Sequence, residues 1–204
     1  MTFEGTPPPP VIAIEGGNTQ QVLYLDKGGG LQYAAVFLAD ARAGGAAPAA
    51  PAVLNQRSYI FVPQVLVVRA GQVMRFTSDD PAHHNVRSVD PNPANAFSVD
   101  TDGGVLNAPS HRFAATPPDR PVVLSCDIHP WMVAWVYAFE HNLSAVTDAA
   151  GRFRIENVPP GRHRLAVRQP AGGLARDLVV DVAAGQTTRR DVRFTANDVR
   201  VPVR

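Results

Sequence analysis

Cysteine is almost absent from this sequence of 204 residues, since Cys126 is the only one. A single cysteine excludes an intramolecular disulfide, and with it the class of small secreted proteins that a framework of bridges holds together. A lone thiol outside the cytoplasm is open to oxidation unless something protects it, and ligation of a metal ion is one such protection. Cys126 is therefore a candidate metal ligand.

Charged residues are also few, at 18%, and the formal net charge is +1. A chain of this charge has no general attraction for nucleic acid or for an anionic membrane surface, so neither is predicted as a partner. No apolar run approaches the roughly 20 residues of a membrane span, so no membrane span is predicted. The start of the chain, Met1 to Gly5, lacks the charged segment and apolar core of a signal peptide, so no leader is predicted there.

Turn-forming residues are frequent instead, with 16 glycines and 19 prolines. Such a composition favours many short strands joined by turns over long helices. The last third of the chain alternates apolar and polar residues most clearly, and the apolar members are Phe153, Ile155, Leu165, Val167, Val192 and Phe194. Strict alternation indicates half-buried strands, and no segment has a convincing helical period. The predicted fold class is therefore all-β, with antiparallel β-sandwiches.

The chain divides into four segments by composition. Residues 1–10 end in the run Thr6 to Pro10, a stiff Pro-rich tether suited to attachment at the cell envelope. Residues 11–50 hold N-terminal strands and a linker, residues 51–140 are dense in apolar strands, and residues 141–204 carry the alternating pattern. The sequence therefore predicts two folded regions after residue 50.

The N-terminal segment contains two predicted strands, Gln21 to Leu25 and Ala34 to Leu38, with a turn at Gly28 to Gly30. Ala43 to Pro51 consists almost wholly of Ala, Gly and Pro, which cannot bury enough surface to order itself strongly. This stretch is predicted to be a surface loop or linker.

The main group of candidate metal ligands is Cys126, His129 and Met132, spaced three residues apart around Pro130. Two apolar runs flank the group, so a turn between strands can wrap its side chains around one point. Thiolate, imidazole and thioether are the donors selected by copper as it moves between its two oxidation states. The alternative is that the cysteine and methionine only pack in the core, as such residues usually do, and that the histidine lies in a loop.

A second imidazole is available upstream, from His83 or His84. Neighbouring side chains on an extended segment point to opposite faces, so one of the two would ligate and the other would face away. Just before them, Asp79 and Asp80 stand beside Pro81 and are predicted to be turn residues rather than an acid–base pair.

These motifs resemble the cupredoxins, and C-x-x-H-x-x-M is similar to the ligand loop of the amicyanin/plastocyanin-like blue-copper domains. The upstream part of the resemblance is carried by Phe61-Val62-Pro63, Val68, Gly71, Val73, Phe76, Asp80 and His84-Asn85-Val86. The resemblance implies a Greek-key β-sandwich over residues 51–140. It also implies one mononuclear copper ion, Cu(I)/Cu(II), held by His84, Cys126, His129 and Met132. Asn85 would then tie the two ligand segments together by hydrogen bonds to the residues flanking Cys126.

The function implied by this resemblance is transfer of single electrons between redox partners in the periplasm or outside the cell. The protein takes all four donor positions, so no position is left for substrate and an enzyme is not predicted. The ring edge of His129 would emerge beside Trp131, in an apolar patch where a protein partner docks. Two alternatives are kept: a copper-binding storage or delivery protein, and a structural β-sandwich protein of the cell envelope.

The segment from Val146 to Leu165 resembles the carboxypeptidase regulatory-like domain, a non-catalytic, transthyretin-like β-sandwich. The resemblance is carried by T-D-x-x-G-x-F from Thr147 to Phe153 and by the Pro159-Pro160-Gly161 turn. It implies a second, smaller sandwich over residues 141–204. Members of this family begin with two strands around a glycine turn, and Val22 to Leu38 is similar to such a beginning. Those strands would either complete the C-terminal sandwich or extend the cupredoxin sheet.

Overall fold

The computed structural model describes residues 1–8, 12–13, 19–101 and 108–200. Their regular structure consists of seventeen strands and two 3-10 turns of three residues each, so the predicted all-β fold is confirmed. The strands are β1 (Thr2–Glu4), β2 (Ile12–Ala13), β3 (Thr19–Gln20), β4 (Ala35–Leu38), β5 (Ala52–Arg57), β6 (Ile60–Val62), β7 (Val65–Arg69), β8 (Val73–Ser78), β9 (Asn85–Ser88), β10 (Phe97–Asp100), β11 (Ser110–Arg112), β12 (Val122–Ser125), β13 (Val133–Phe139), β14 (Ser144–Val146), β15 (Gly161–Gln169), β16 (Leu174–Val182) and β17 (Arg193–Thr195).

The strands fall into two compact units. The first unit consists of Met1–Pro10, Gln21–Ala43 and Leu143–Arg204, and the second of Val11–Gln20 and Gly44–Asn142. The predicted boundaries were 51–140 for the metal-binding region and 141–204 for the smaller sandwich. The smaller sandwich of the structure is thus discontinuous in the sequence and includes residues from the N-terminal segment.

The main sheet of the first unit has the strand order β14-β4-β15-β16. Strand β4 is central, because it pairs antiparallel with β14 on one side and with β15 on the other. All four of its residues are buried, as expected for an apolar run inside a sheet. The N-terminal strands were predicted either to complete the C-terminal sandwich or to extend the cupredoxin sheet. Strand β4 (Ala35–Leu38) does the first, since it lies in the same sheet as the C-terminal strands.

Three predictions in the first unit are wrong. Gln21 to Leu25 forms no strand beyond a single bridge from Leu25 to Leu31, since the chain bends to bury the adjacent Val22 and Leu23 in one core. Phe153 and Ile155 keep the alternating burial but have no ladder partner, so their segment is not a strand. Part of the predicted tether, Thr2–Glu4, pairs in parallel with β17 because Phe3 is drawn into the core, where it is 4% exposed.

The rest of the predicted tether has no regular structure up to Pro8, and Pro9 and Pro10 lie outside the described residues. The predicted linker behaves as its composition suggests, since residues 42–51 are exposed and form no strand. Within the described residues, no helix has the length and apolar character needed to cross a lipid bilayer.

The second unit is a sandwich of a five-stranded sheet, β10-β9-β12-β13-β7, and a four-stranded sheet, β11-β8-β5-β6. One pair of strands in each sheet is parallel, β13 with β7 and β5 with β8, while the other pairs are antiparallel. Apolar side chains of both sheets form one core, which includes Phe76, Phe113 and Leu124. Strand β10 lies at the edge of the five-stranded sheet and β11 at the edge of the four-stranded sheet.

Three neighbouring strands of the five-stranded sheet carry predicted ligands next to their ends, on the same side of the sheet. His84 directly precedes β9, Cys126 directly follows β12, and Met132 directly precedes β13. Ser125, the last residue of β12, is paired with both β9 and β13. The antiparallel arrangement therefore brings the start of β9, the end of β12 and the start of β13 together.

Candidate metal centre

The donor atoms of His84, Cys126 and His129 converge on one point. They lie within 4.8 Å of one another. Nδ1 of His84 is 2.9 Å from Nδ1 of His129, and Sγ of Cys126 is 3.7 Å from the same nitrogen of His129. In the part of the chain that the structure describes, this is the only group of three or more His, Cys, Asp or Glu side chains close enough to hold one metal ion.

The three side chains are also buried. Exposure is 0% for His84, 2% for Cys126 and 6% for His129. Two imidazole nitrogens and one sulfur therefore meet away from the protein surface. The chemistry of this donor set therefore fits a soft or borderline cation, and among biological metals it fits copper well.

Met132 closes the loop that carries the other two C-terminal ligand candidates. Its backbone N–H donates to the carbonyl of His129 at 2.9 Å, and its carbonyl accepts from the N–H of Cys126 at 3.3 Å. The side chain is fully buried, in the same apolar core as Cys126. The loop is thus fixed by its own backbone at the positions of all three predicted ligands.

The two adjacent histidines have different surroundings. His84 belongs to the buried cluster, whereas the side chain of His83 is 54% exposed and its Nε2 lies 3.9 Å from Oδ1 of Asp100. This is the arrangement expected for neighbours on an extended segment, which face opposite ways. The structure therefore brings His84 to Cys126 and leaves His83 outside.

Substituting the two histidines one at a time should give very unequal results. We expect His84→Ala to weaken copper binding by more than about 100-fold, because loss of a ligand exceeds the roughly 10–100-fold cost of losing an outer partner. His83→Ala should change the affinity and the visible spectrum by less than about twofold, well inside the range for a lost outer partner. Competition titration against a chelator measures both, and a reversed order would identify His83 as the ligand.

Asn85 links the two ligand segments, as the resemblance implied. Its Oδ1 accepts from the N–H of Asp127 at 2.8 Å, and its Nδ2 donates to Oδ2 of the same residue at 2.8 Å. Arg87 donates to the other carboxylate oxygen at 2.9 Å. The hydrogen bond from Asn85, followed by that from Arg87, lowers the pKa of Asp127. These bonds tie the first residue of β9, which directly follows His84, to the residue after Cys126.

Asp80 is a partner of His84, and sequence analysis named it among the residues that carry the resemblance but did not predict this contact. It was predicted to be a turn residue, but its Oδ2 lies 3.1 Å from Nε2 of His84 and its side chain is only 7% exposed. A carboxylate only accepts hydrogen bonds, so Nε2 of His84 carries the proton and Nδ1 presents its lone pair to the cluster. The spacing of four residues between an acid and a ligand histidine is the signal that could have found it.

Two aromatic rings cover the histidines, and we call Tyr59 and Trp131 the aromatic roof. The Tyr59 ring centroid lies 5.7 Å from that of His84 and 5.4 Å from that of His129, both edge to face. The Trp131 ring lies 5.3 Å from His129, and its Nε1 donates to the carbonyl of Tyr59 at 3.0 Å. Because of this cover His129 is nearly buried, and less of its ring reaches the surface than the sequence suggested.

The remaining histidines lie apart from the centre and are held by other groups. His111 stacks on Phe97 with the ring centroids 4.3 Å apart, and burial lowers its pKa. His141 stacks on Phe139, and burial lowers its pKa as well. Nε2 of His163 lies 2.8 Å from the carbonyl of Pro159. Each of these three rings is therefore engaged in contacts outside the buried cluster.

Comparison with known families supports one of the two resemblances. The family model of the carboxypeptidase regulatory-like domain matches residues 133–195. The match begins in β13, so its first residues belong to the second unit and the rest to the first. No curated protein matches the chain.

Several solved structures are similar to part of the chain. A purple cupredoxin from Nitrosopumilus maritimus is 22% identical over 43% of this chain and 99% of that chain, with a TM-score of 0.36. The copper-containing nitrite reductase from Thermus scotoductus is 21% identical over 50% of this chain and 25% of that chain, with a TM-score of 0.36. Amicyanin from Paracoccus versutus is 15% identical over 51% of this chain and 91% of that chain, with a TM-score of 0.35. Cupredoxins are therefore among the solved structures to which part of the chain is similar.

Proposed function

We propose that this protein is a mononuclear blue-copper protein that carries single electrons between extracytoplasmic redox partners. The observation that carries the proposal is the buried convergence of His84, Cys126 and His129 within 4.8 Å. Two imidazoles and one thiolate form the trigonal donor set of blue-copper electron-transfer sites. Bound copper would supply one-electron chemistry, by changing between Cu(I) and Cu(II).

Met132 completes the proposed ligand set as a weak axial donor. It is fully buried next to the loop that carries Cys126 and His129. An axial thioether tunes the reduction potential of such a site more than it holds the metal. With four positions taken by the protein none remains for substrate, and this favours an electron carrier over an enzyme.

The surroundings of the ligands favour fast electron transfer. His84 is held by Asp80, and the segments of His84 and Cys126 are tied together through Asn85 and Asp127. A ligand set fixed in this way changes its geometry little when the charge of the metal changes. The energy needed for reorganisation is then small, and this is what an electron carrier requires.

The burial of the site favours electron transfer over storage or delivery. A protein that hands copper to others needs ligands that a partner can reach, whereas the three donors here are at most 6% exposed. An electron can be transferred through the residues that bury the site, whereas a copper ion cannot pass through them. In this proposal the smaller sandwich is a non-catalytic structural module of a cell-envelope protein.

The proposed docking region for redox partners is the surface near His129 and Trp131. Ile128, which lies between the ligands Cys126 and His129 in the sequence, is 48% exposed. Pro130, which follows His129, is exposed as well. An apolar surface above a buried redox centre allows a partner to approach closely and to leave quickly. The partners are proposed to be other redox proteins of the periplasm or the extracellular space.

Two rates measured on the copper-loaded protein test this function. We expect fast electron self-exchange between Cu(I) and Cu(II) forms, measured by NMR line broadening, together with slow removal of copper by a chelator. Both follow from a rigid, covered site. Fast loss of copper with slow self-exchange would favour storage or delivery instead, and a protein that binds no copper would leave only the structural role.

A further inference from the structure

The carboxylate of Asp80 joins two parts of the centre that are distant in sequence. Oδ2 lies 3.1 Å from Nε2 of His84 and accepts the backbone N–H of Tyr59 at 2.9 Å, while Oδ1 accepts the N–H of Ser58 at 2.6 Å. Its own backbone N–H donates to Oγ of Ser78 at 3.3 Å. The Asp80 side chain is 7% exposed, so its bonds to His84 and Tyr59 are partly shielded from water, whereas its bond to Ser58 lies at the surface.

The residues that Asp80 holds on the other side are in an uncommon conformation. Ser58 and Tyr59 form the turn between β5 and β6 and have φ angles of 56° and 61°. Residues other than glycine enter this left-handed region at a cost, of order 1–3 kcal/mol each, and stay there only when their surroundings hold them. The two hydrogen bonds to the Asp80 carboxylate are such a restraint.

This turn contains Tyr59, one of the two residues of the aromatic roof, and so determines where its ring lies. Tyr59 contacts both ligand histidines edge to face, and its carbonyl accepts the hydrogen bond from Trp131. The position of the turn therefore sets the positions of both rings above the metal centre. Asp80 acts on this turn and on the ring of His84 at the same time.

We propose that Asp80 is a positioning residue that fixes the tautomer of His84 and closes the aromatic roof with one carboxylate, and so sets how slowly the centre exchanges its metal. This inference rests on the proposed copper-binding function. The carboxylate keeps a proton on Nε2 of His84, so that Nδ1 faces Cys126 and His129 as a donor. The same carboxylate holds Tyr59 against the rings of both ligand histidines.

The test compares Asp80→Asn with Asp79→Asn in the full-length protein. Asp79 is a matched control because it is the adjacent carboxylate and accepts from Nδ2 of Asn55 at 2.6 Å rather than from His84. We expect Asp80→Asn to speed the removal of Cu(I) by a chelator by about 10–100-fold, the range for loss of an outer partner of a ligand. The rate of Cu(I) removal from Asp79→Asn should stay within about twofold of the wild-type rate, which is below that range.

Two measurements on the copper-free protein separate positioning from simple loss of stability. Asp80→Asn should remove the protection of the Ser58 and Tyr59 amides against hydrogen exchange, and ¹⁵N NMR should show His84 as a mixture of tautomers. Strand β12, which Asp80 does not contact, should keep its protection. If these amides and the histidine are unchanged in Asp80→Asn, the proposal is overturned.

A conservative variant keeps the test decisive if Asp80→Asn does not fold. Asp80→Glu retains the charge and shifts the carboxylate by one methylene, so it should lose copper to the chelator faster than the wild-type protein and Asp79→Asn, by less than the roughly 10–100-fold expected for loss of the partner. A rate equal to that of Asp79→Asn for every Asp80 variant that folds would overturn the role of Asp80 alone. An unchanged protein that binds no copper would instead overturn the proposed function, and the exchange role of Asp80 with it.

Discussion

Replacing Cys126 with serine is expected to abolish the intense visible absorption of the Cu(II)-loaded protein. That band arises from charge transfer between a thiolate and copper, and Cys126 is the only cysteine in the chain. A serine hydroxyl at the same buried position is a harder and much weaker donor, so copper affinity should fall as well. Absorption and electron paramagnetic resonance spectra of the loaded variant measure both the loss of the band and the change of coordination.

The neighbouring residue provides the control for this substitution. Ser125 is the last residue of β12 and contributes no donor atom to the buried cluster, so Ser125→Ala should keep the colour. Two results would contradict the electron-transfer proposal. One is a wild-type protein that is colourless with one equivalent of bound Cu(II). The other is a visible absorption band that remains in Cys126→Ser.

The second large effect concerns the smaller sandwich. A fragment of residues 139–204 lacks β4 and is expected to show no cooperative unfolding transition. Strand β4 lies in the middle of the four-stranded sheet, and its residues Val36, Phe37 and Leu38 are at most 2% exposed. Burial of three such side chains contributes about 5–9 kcal/mol, which is comparable with the whole stability of a small domain. Thermal and urea unfolding, followed by circular dichroism, measure the effect.

A shortened chain tests the reason for that instability. In it residues 44–142 are replaced by a flexible Gly-Ser linker, so that residues 1–43 and 143–204 are retained. The N–H of Leu38 donates to the carbonyl of Leu143 at 3.1 Å, so a short linker can span the gap. We expect this chain to unfold cooperatively. If the fragment 139–204 alone does so too, the C-terminal segment is self-contained and β4 is dispensable.

The parts of the fold that sequence analysis predicted well are those in which local pattern and burial agree. Val133–Phe139 is an apolar, β-branched and aromatic run, and it forms β13 at the centre of its sheet. The Cys126 loop was recognised because donor types and spacing carry chemical information by themselves. The structure brings its cysteine and histidine together with His84, as the resemblance implied.

The parts that were missed depend on contacts between distant residues. Phe153 and Ile155 alternate as a strand would, but no neighbouring strand is available to pair with them. Thr2–Glu4 has no strand pattern of its own and is a strand only because β17 lies beside it. The role of Asp80 depends on the turn at Ser58 and Tyr59, more than twenty residues earlier in the chain. The spacing of Asp80 and His84 could have indicated their contact, but no local pattern predicts the contact of Asp80 with this turn or the pairing partners of the other two segments.

The placement of β4 also has a consequence for the order in which the chain folds. Its partner β15 is synthesised long after it, and closing so long a loop costs conformational entropy before any pairing compensates for it. The second unit shortens that loop once it has folded, because its own ends are joined by hydrogen bonds from Gly44 to Glu140 at 2.8 Å and from Asn142 to Ala46 at 3.1 Å.

Shortening the effective loop between β4 and β15 from about 120 residues to about 25 lowers the closure cost by roughly 1.4 kcal/mol. The second unit is therefore expected to fold first. Its folded state would bring β4 and the later strands of the smaller sandwich close together in space. Substitutions that delay folding of Gly44–Asn142 should then delay formation of the sheet around β4, although they change none of its residues.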